Sequence, residues 1–235
     1  YQLEQSIIGI SEACRALDTP VIGGNASLYN QTPEFGSIYP TPIIGMTGLV
    51  KSLDHVMTME FKNEGDFVIL IGETKEELGA SEYLDVIHNL VSGDVPELDL
   101  ALERKAQDYV LDIIRQGLVK SAHDLGDGGL AVALAESCIA GELGANVSLD
   151  LDMRADALLF GESQTRFLLS ADETSTDKIV ELAAQQGLEA AVIGKVTQLQ
   201  NIIIHNMDEK LIDISVGNCQ EAFATGFDKL MKTDS

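Results

Sequence analysis

The feature that most constrains this chain is a strand-like run that enters a glycine cluster and leaves as an apolar helix. Val119 to Leu125 reads as a short strand, Gly126-Asp127-Gly128-Gly129 follows, and Leu130 to Ala140 is apolar almost all round. A helix with no polar face has to be buried under other elements. The 235 residues, 45% of them hydrophobic, are enough for a sizeable core in one large domain or two small ones. Because the helix follows a strand end through glycines, its first N–H groups point at whatever lies above that end, and its dipole favours an anion there. The same residues also fit a plain sheet-to-helix turn with Asp127 as the cap. The cluster is not GxGxxG and lacks the Lys-Ser/Thr of a P-loop, so neither of those nucleotide modes is supported.

A second glycine cluster stands near the start, in Val21-Ile22-Gly23-Gly24-Asn25-Ala26-Ser27-Leu28-Tyr29-Asn30. Pro20-Val21-Ile22 reads as a buried strand, and two glycines then allow close backbone approach. The amides and hydroxyls that follow could meet phosphate oxygens, and the Asn25 carbonyl could meet a hard cation. A tight turn with an Asn cap explains the same residues. A third polar loop, Gly161-Glu162-Ser163-Gln164-Thr165-Arg166, precedes an apolar strand and is either a turn or a loop that recognises sugar or phosphate.

Around these motifs the periodicities alternate. Leu3, Ile7, Ile10, Cys14 and Leu17 mark a helix over about 2–17, ended by Asp18-Thr19-Pro20. Ile38 to Val50 reads as a long strand, Glu60 to Asp66 as a linker, and Phe67 to Ile71 as a continuous apolar strand. Glu73 to Leu100 is acidic and loop-rich. Leu102, Ala106, Tyr109, Val110 and Ile113 form a helical face closed by Gly117. Strands are expected at Asn146 to Leu151, Arg166 to Ser170, Ala191 to Val196, Ile202 to Ile204 and Leu211 to Val216. Helices are expected from a capping box at Thr174 and Asp177 to Gly187, and from Cys219 to Met231. The fold class is α/β (α+β): a mixed sandwich with helices on one side of a largely antiparallel sheet.

Composition excludes several classes. With 15 Lys and Arg against 38 Asp and Glu the formal charge is −23, which repels nucleic-acid backbones and anionic membranes. No apolar run approaches the roughly 20 residues needed to span a bilayer. Cys14, Cys138 and Cys219 have no zinc-site spacing, and Cys14 and Cys138, on apolar helix faces, read as buried free thiols of a reducing, cytoplasmic protein. His55, His88 and His205 have no partners at ligand spacing. His123 next to Asp124 looks like a base with its orienting carboxylate, but neighbours on a strand face opposite ways. No nucleophile elbow is present. Residue 1 is Tyr and the chain opens directly in a helix, which leads to the expectation of a fragment.

Taken in order, Pro20 to Asn30, Tyr39-Pro40-Thr41-Pro42-Ile43-Ile44-Gly45-Met46, His123-Asp124 with Gly128-Gly129-Leu130, and Glu162 to Phe167 closely resemble one family. It is the synthetase subunit of phosphoribosylformylglycinamidine synthase, of the smaller multi-subunit bacterial type, within the aminoimidazole-ribonucleotide-synthetase-like ATP-binding superfamily. The resemblance implies that residues 1–57 are the C-terminal part of a second ATP-binding domain and residues 64–235 the second C-terminal α+β domain. It implies a C–N ligase of purine biosynthesis. With ATP and Mg²⁺, formylglycinamide ribonucleotide and glutamine-derived ammonia would give formylglycinamidine ribonucleotide, ADP and phosphate. A glutaminase subunit and a small accessory subunit would be its partners.

By the same resemblance Gly24 contacts ATP, Asn25 binds Mg²⁺ and Ser27 touches substrate. Glu162, Ser163, Gln164, Asp124, Gly128 and Gly129 would line an auxiliary site or be relics of duplication. The catalytic histidines would lie in an absent first half, so the fragment alone would be inactive. Two other readings stay open: a pseudo-symmetric structural half that binds nothing, and another member of the superfamily. A homodimer through residues 1–57 is also expected if that half has lost its pairing partner.

Overall fold

A computed structural model of the chain describes residues 1–27, 31–34, 36–38 and 41–232. Leu28, Tyr29 and Asn30 of the first motif, and Tyr39 and Pro40 of the second, lie outside the described residues. The chain opens with α1 (Gln2–Leu17), as its spacing predicts, and Asp18 ends the helix in the left-handed region with φ 55°. Two short strands, β1 (Gln31–Thr32) and β2 (Gly36–Ser37), pair as a hairpin.

The body is a seven-stranded sheet. Its strands are β3 (Phe67–Ile71), β4 (Ser121–Asp124), β5 (Gly144–Leu149), β6 (Phe167–Ala171), β7 (Ala190–Thr197), β8 (Asn201–Asn206) and β9 (Glu209–Ser215). Their spatial order is β4-β6-β3-β7-β5-β8-β9, and every pairing is antiparallel except β5 with β8. The other helices are α2 (Glu82–His88), α3 (Leu100–Arg115), α4 (Gly129–Gly141), α5 (Ala155–Phe160), α6 (Glu173–Gln185) and α7 (Val216–Lys232).

The α+β class holds, but the helices cover both faces of the sheet where one was expected. Along β3, Val68 and Leu70 point into a core shared with α4, α5 and the start of α7. Ile69 and Ile71 point into a second core built with α3 and α6. A strand apolar at every position is the mark of two-sided burial. By contrast β5 alternates buried and exposed residues along Ala145 to Leu149, with one face in the first core. One-sided cover therefore describes only the half of the sheet that carries β5, β8 and β9. Helix α4 fulfils the opening expectation: Leu130, Leu134 and Cys138 are all fully buried.

Several local expectations fail for identifiable reasons. Pro20-Val21-Ile22 and the described part of Ile38 to Val50 form no strand, and their residues are exposed. A strand exists only as one member of a ladder, and these runs have no ladder among the described residues. Helix α6 begins two residues early, with Asp172 as its cap accepting from the Ser175 N–H, so Thr174 is not the cap. The acidic stretch before Leu100 contains α2, which Ser81 caps. That helix has only seven residues, too few for a periodicity to show, and none of them is buried.

Candidate functional site

The glycine turn of α4 and the polar loop before β6 meet, joined by one carboxylate. Glu162 Oε1 accepts from the Gly128 N–H at 2.9 Å and from the Glu82 N–H at 3.0 Å. Gly128, and not Asp127, is the N-cap of α4 and makes no side-chain cap, while the carboxylate from the other loop binds the N–H of that N-cap residue. Gly128 and Gly129 both have positive φ, 79° and 62°. A Cβ on Gly129 would sit 2.4 Å from the Gly161 carbonyl oxygen, so glycine is required there for the two loops to touch.

The loop is fixed from behind by Arg166, whose side chain is fully buried. Its guanidinium donates to the Ser163 carbonyl at 3.0 Å, the Gly161 carbonyl at 2.5 Å and Thr74 Oγ1 at 3.4 Å. Burial pulls its pKa down to about 10, against the opposing pull of Glu77 and Glu162, and it stays charged at neutral pH. Ser163 is buried as well. Its Oγ accepts from the Lys75 N–H at 3.3 Å and donates to the Lys75 carbonyl at 3.4 Å. Gln164 Nε2 donates to the Glu162 carbonyl at 3.0 Å. Glu162, Ser163, Gln164, Gly128 and Gly129 thus form one internally bonded joint.

Asp124 stands apart from that joint, with its side chain 81% exposed and Oδ1 3.6 Å from His123 Nδ1. The closer partner of His123 is Glu136, whose Oε2 is 2.8 Å from Nε2. Sequence reasoning missed Glu136. The one available signal was its place as the sole acid within an otherwise apolar helix.

The first motif is placed differently. Gly24, Asn25 and Ser27 lie on an exposed irregular segment, where Asn25 Nδ2 is 3.3 Å from Ser27 Oγ. Nothing within 4 Å would meet a Cβ at Gly24, so packing among the described residues does not demand glycine there. No hydrogen bond among the described residues links Gly24 or Asn25 to the joint. Among the described residues no group of three or more His, Cys, Asp and Glu could hold a metal ion. Asn25 supplies a single amide oxygen, so these residues alone do not make a Mg²⁺ site.

A cavity of about 740 Å³ opens where β3 ends and α3 begins, lined by Lys75, Asp99, Gln164 and Thr165 among others. Of the polar loop singled out from sequence, Gln164 and Thr165 reach it. Nucleophilic chemistry finds no support in the buried thiol of Cys138, pushed up to about 12 by burial and then by Cys219. No helix among the described residues is long and apolar enough to cross a membrane.

Residues 63–205 match the family described as AIR synthase related protein, C-terminal domain. The chain belongs to this family. The matched residues contain β3 to β7, all but the last residue of β8, and helices α2 to α6. Among curated relatives, the phosphoribosylformylglycinamidine synthase subunit PurL of Alkaliphilus metalliredigens is 44% identical over 235 residues, 99% of this chain and 31% of that protein. The subunit of the same name from Moorella thermoacetica is 50% identical over 195 residues, 83% of this chain and 26% of that protein. The chain therefore spans about a third or less of the length of these relatives. Among solved structures, Thermotoga maritima PurL complexed with FGAR superposes with a TM-score of 0.64 at 24% identity, covering 72% of this chain and 30% of that one. The T. maritima PurL structure complexed with ATP gives 0.58 at 23% identity, covering 72% and 28%. These superpositions speak to the fold.

Proposed function

We propose that these residues serve as part of the synthetase subunit of phosphoribosylformylglycinamidine synthase, the ligase that forms formylglycinamidine ribonucleotide from formylglycinamide ribonucleotide, ATP and glutamine-derived ammonia. The observation that carries the reading is the 44% identity that runs over 99% of the chain to a subunit of that name. Residues 18–59 are included in that match, so they are not an unrelated extension of the packed domain. Residues 1–57 then belong to an ATP-binding domain and residues 64–235 to the C-terminal domain. A glutaminase subunit and a small accessory subunit would complete the assembly in the cytoplasm.

Within this reading Gly24 lets the backbone approach ATP, Asn25 offers one oxygen to Mg²⁺ and Ser27 offers its hydroxyl to substrate. Bound Mg²⁺ would supply charge neutralisation for the transferring phosphoryl group. The residues of this chain contribute position: a glycine without a side chain in the way, and two short polar groups two residues apart. The opposite wall would come from polypeptide equivalent to the remaining length of the relatives.

The test is a steady-state assay with ammonia, ATP and formylglycinamide ribonucleotide. These residues alone should show no turnover. The subunit at the length of its relatives should turn over, with Asn25→Ala lowering activity about tenfold or more through the loss of one ligand. Full activity of Asn25→Ala in that longer subunit would favour the scaffold reading, in which this half supports the other and binds nothing. Turnover by the present residues alone would refute the placement of the chemistry elsewhere.

A further inference from the structure

We propose that Glu162 is a latch: its one carboxylate oxygen holds the 73–99 strap folded against the sheet domain and at the same time fills the glycine turn of α4. The argument begins with α2, the helix inside the strap. It has seven residues and none of them is buried. A helix that short has no stability of its own, and without buried side chains it gains little from the hydrophobic effect. What holds it must be polar or local.

The contacts are few and most converge on the loop before β6, with α5 adding the Arg154 N–H on Glu76 Oε1 at 3.3 Å. Glu162 takes the Glu82 N–H at the first residue of α2, and its own N–H donates to the Glu77 carbonyl at 3.2 Å. Ser163 exchanges hydrogen bonds with Lys75. Tyr83 stacks on Phe160 at the end of α5, with ring centroids 4.9 Å apart and planes 8° apart. The far end of the strap is tied back to its near end by the Glu97 N–H on Glu77 Oε1 at 3.0 Å. Among these, the bond from the carboxylate to the Glu82 N–H joins the strap to α4, because the same oxygen is bonded to Gly128. Charge-assisted bonds of this kind are about twice as strong as neutral ones.

Two consequences follow. Folding of α2 and occupation of the Gly128 N–H are coupled through one atom, so a group of the chain itself takes that donor of the glycine turn. Glu162, Gly128 and Gly129 then act as a joint between three segments rather than as contacts for an auxiliary ligand. Releasing the latch would free a strap whose exposed side chains include Val86, Ile87 and Val91.

The experiment is site-resolved amide hydrogen exchange on the whole chain, comparing wild type with Glu162→Ala and Glu162→Gln. In Glu162→Ala exchange over residues 82–89 should rise at least about tenfold, with the Gly128 amide rising alongside, while β3 and β6 keep their wild-type protection. Glu162→Gln keeps an acceptor oxygen and loses the charge, so it should give a smaller rise at both Glu82 and Gly128. Unchanged exchange over 82–89 in Glu162→Ala would overturn the latch. So would a rise at Gly128 without one at Glu82. If Glu162→Ala does not fold, Glu162→Gln decides alone: a joint rise supports the latch, and no change at either amide refutes it.

Discussion

Val68-Ile69-Leu70-Ile71 and Pro42-Ile43-Ile44-Gly45 are both rich in β-branched apolar residues, and they meet opposite fates. The first run is at most 5% exposed, between two helical layers, with β6 and β7 on its flanks. In the second, Ile43 is 92% exposed and no ladder is formed among the described residues. The difference lies in their partners. The residues that bury Ile69 and Ile71 come from α3, α6 and β6, all within this chain. Whatever would cover Ile43 does not come from the described residues. Apolar content says that a run is able to enter a core, and only neighbours decide whether it does.

That contrast can be broken by mutation. Leu134→Ala, in the middle of the buried face of α4, should destabilise the domain by about 3 kcal/mol in a urea or guanidinium titration. Ile43→Ala removes a side chain of similar size and should change stability by less than about 0.5 kcal/mol. Equal losses would mean that the tract is packed after all. Arg166→Met should cost about 2 kcal/mol, because it leaves the Gly161 and Ser163 carbonyls without their buried donor. Asp99 caps α3 by accepting from the Ala101 and Leu102 N–H groups, and Asp99→Ala should cost about 1 kcal/mol.

The smallest expected effect is a pH dependence. The Thr174 hydroxyl, then Lys120 and the Ser175 N–H, hold Asp172 below its ordinary carboxylate range. A depressed folded-state pKa means that the contribution is fully present above the unfolded value, near 3.8, and fades as pH falls below it. Comparing wild type with Asp172→Asn, the stability gap should be constant from neutral pH to about pH 4 and shrink below it. Because the side chain is well exposed, added salt should reduce the part due to Lys120. A gap that widens on acidification would contradict the assignment.

The sequence carried the packed domain well because its signals are local and strong. The 3.6-residue spacing of Ala106, Tyr109, Val110 and Ile113 needs no knowledge of the partner face, and neither does the all-apolar run of α4. The second layer of helices was in principle legible in the unbroken apolar character of β3. Capping was less legible: Thr174 and Asp127 were plausible caps, yet Asp172 caps α6 and Gly128, its N–H held by the distant Glu162, stands at the start of α4. The joint itself was hidden for the same reason, since Glu162 and Gly128 lie 34 residues apart and Glu162 and Glu82 lie 80 apart. Glu136 beside His123 is a further pairing that only the packing of α4 on the edge strand β4 reveals. For Gly24, Asn25 and Ser27 the order of motifs spoke more clearly than the structure does, because their proposed ligands and facing wall are not supplied by the described residues.

The most direct test of this contrast is amide hydrogen exchange on the chain as it stands, read at residues 43–50 and at β3. Amides of 43–50 should exchange within about tenfold of the unfolded-chain rate, whereas those of Val68 to Ile71 should be protected by several orders of magnitude. Comparable protection in the two runs would contradict the account, because the tract that carries Gly24, Asn25 and Ser27 would then already have its partner.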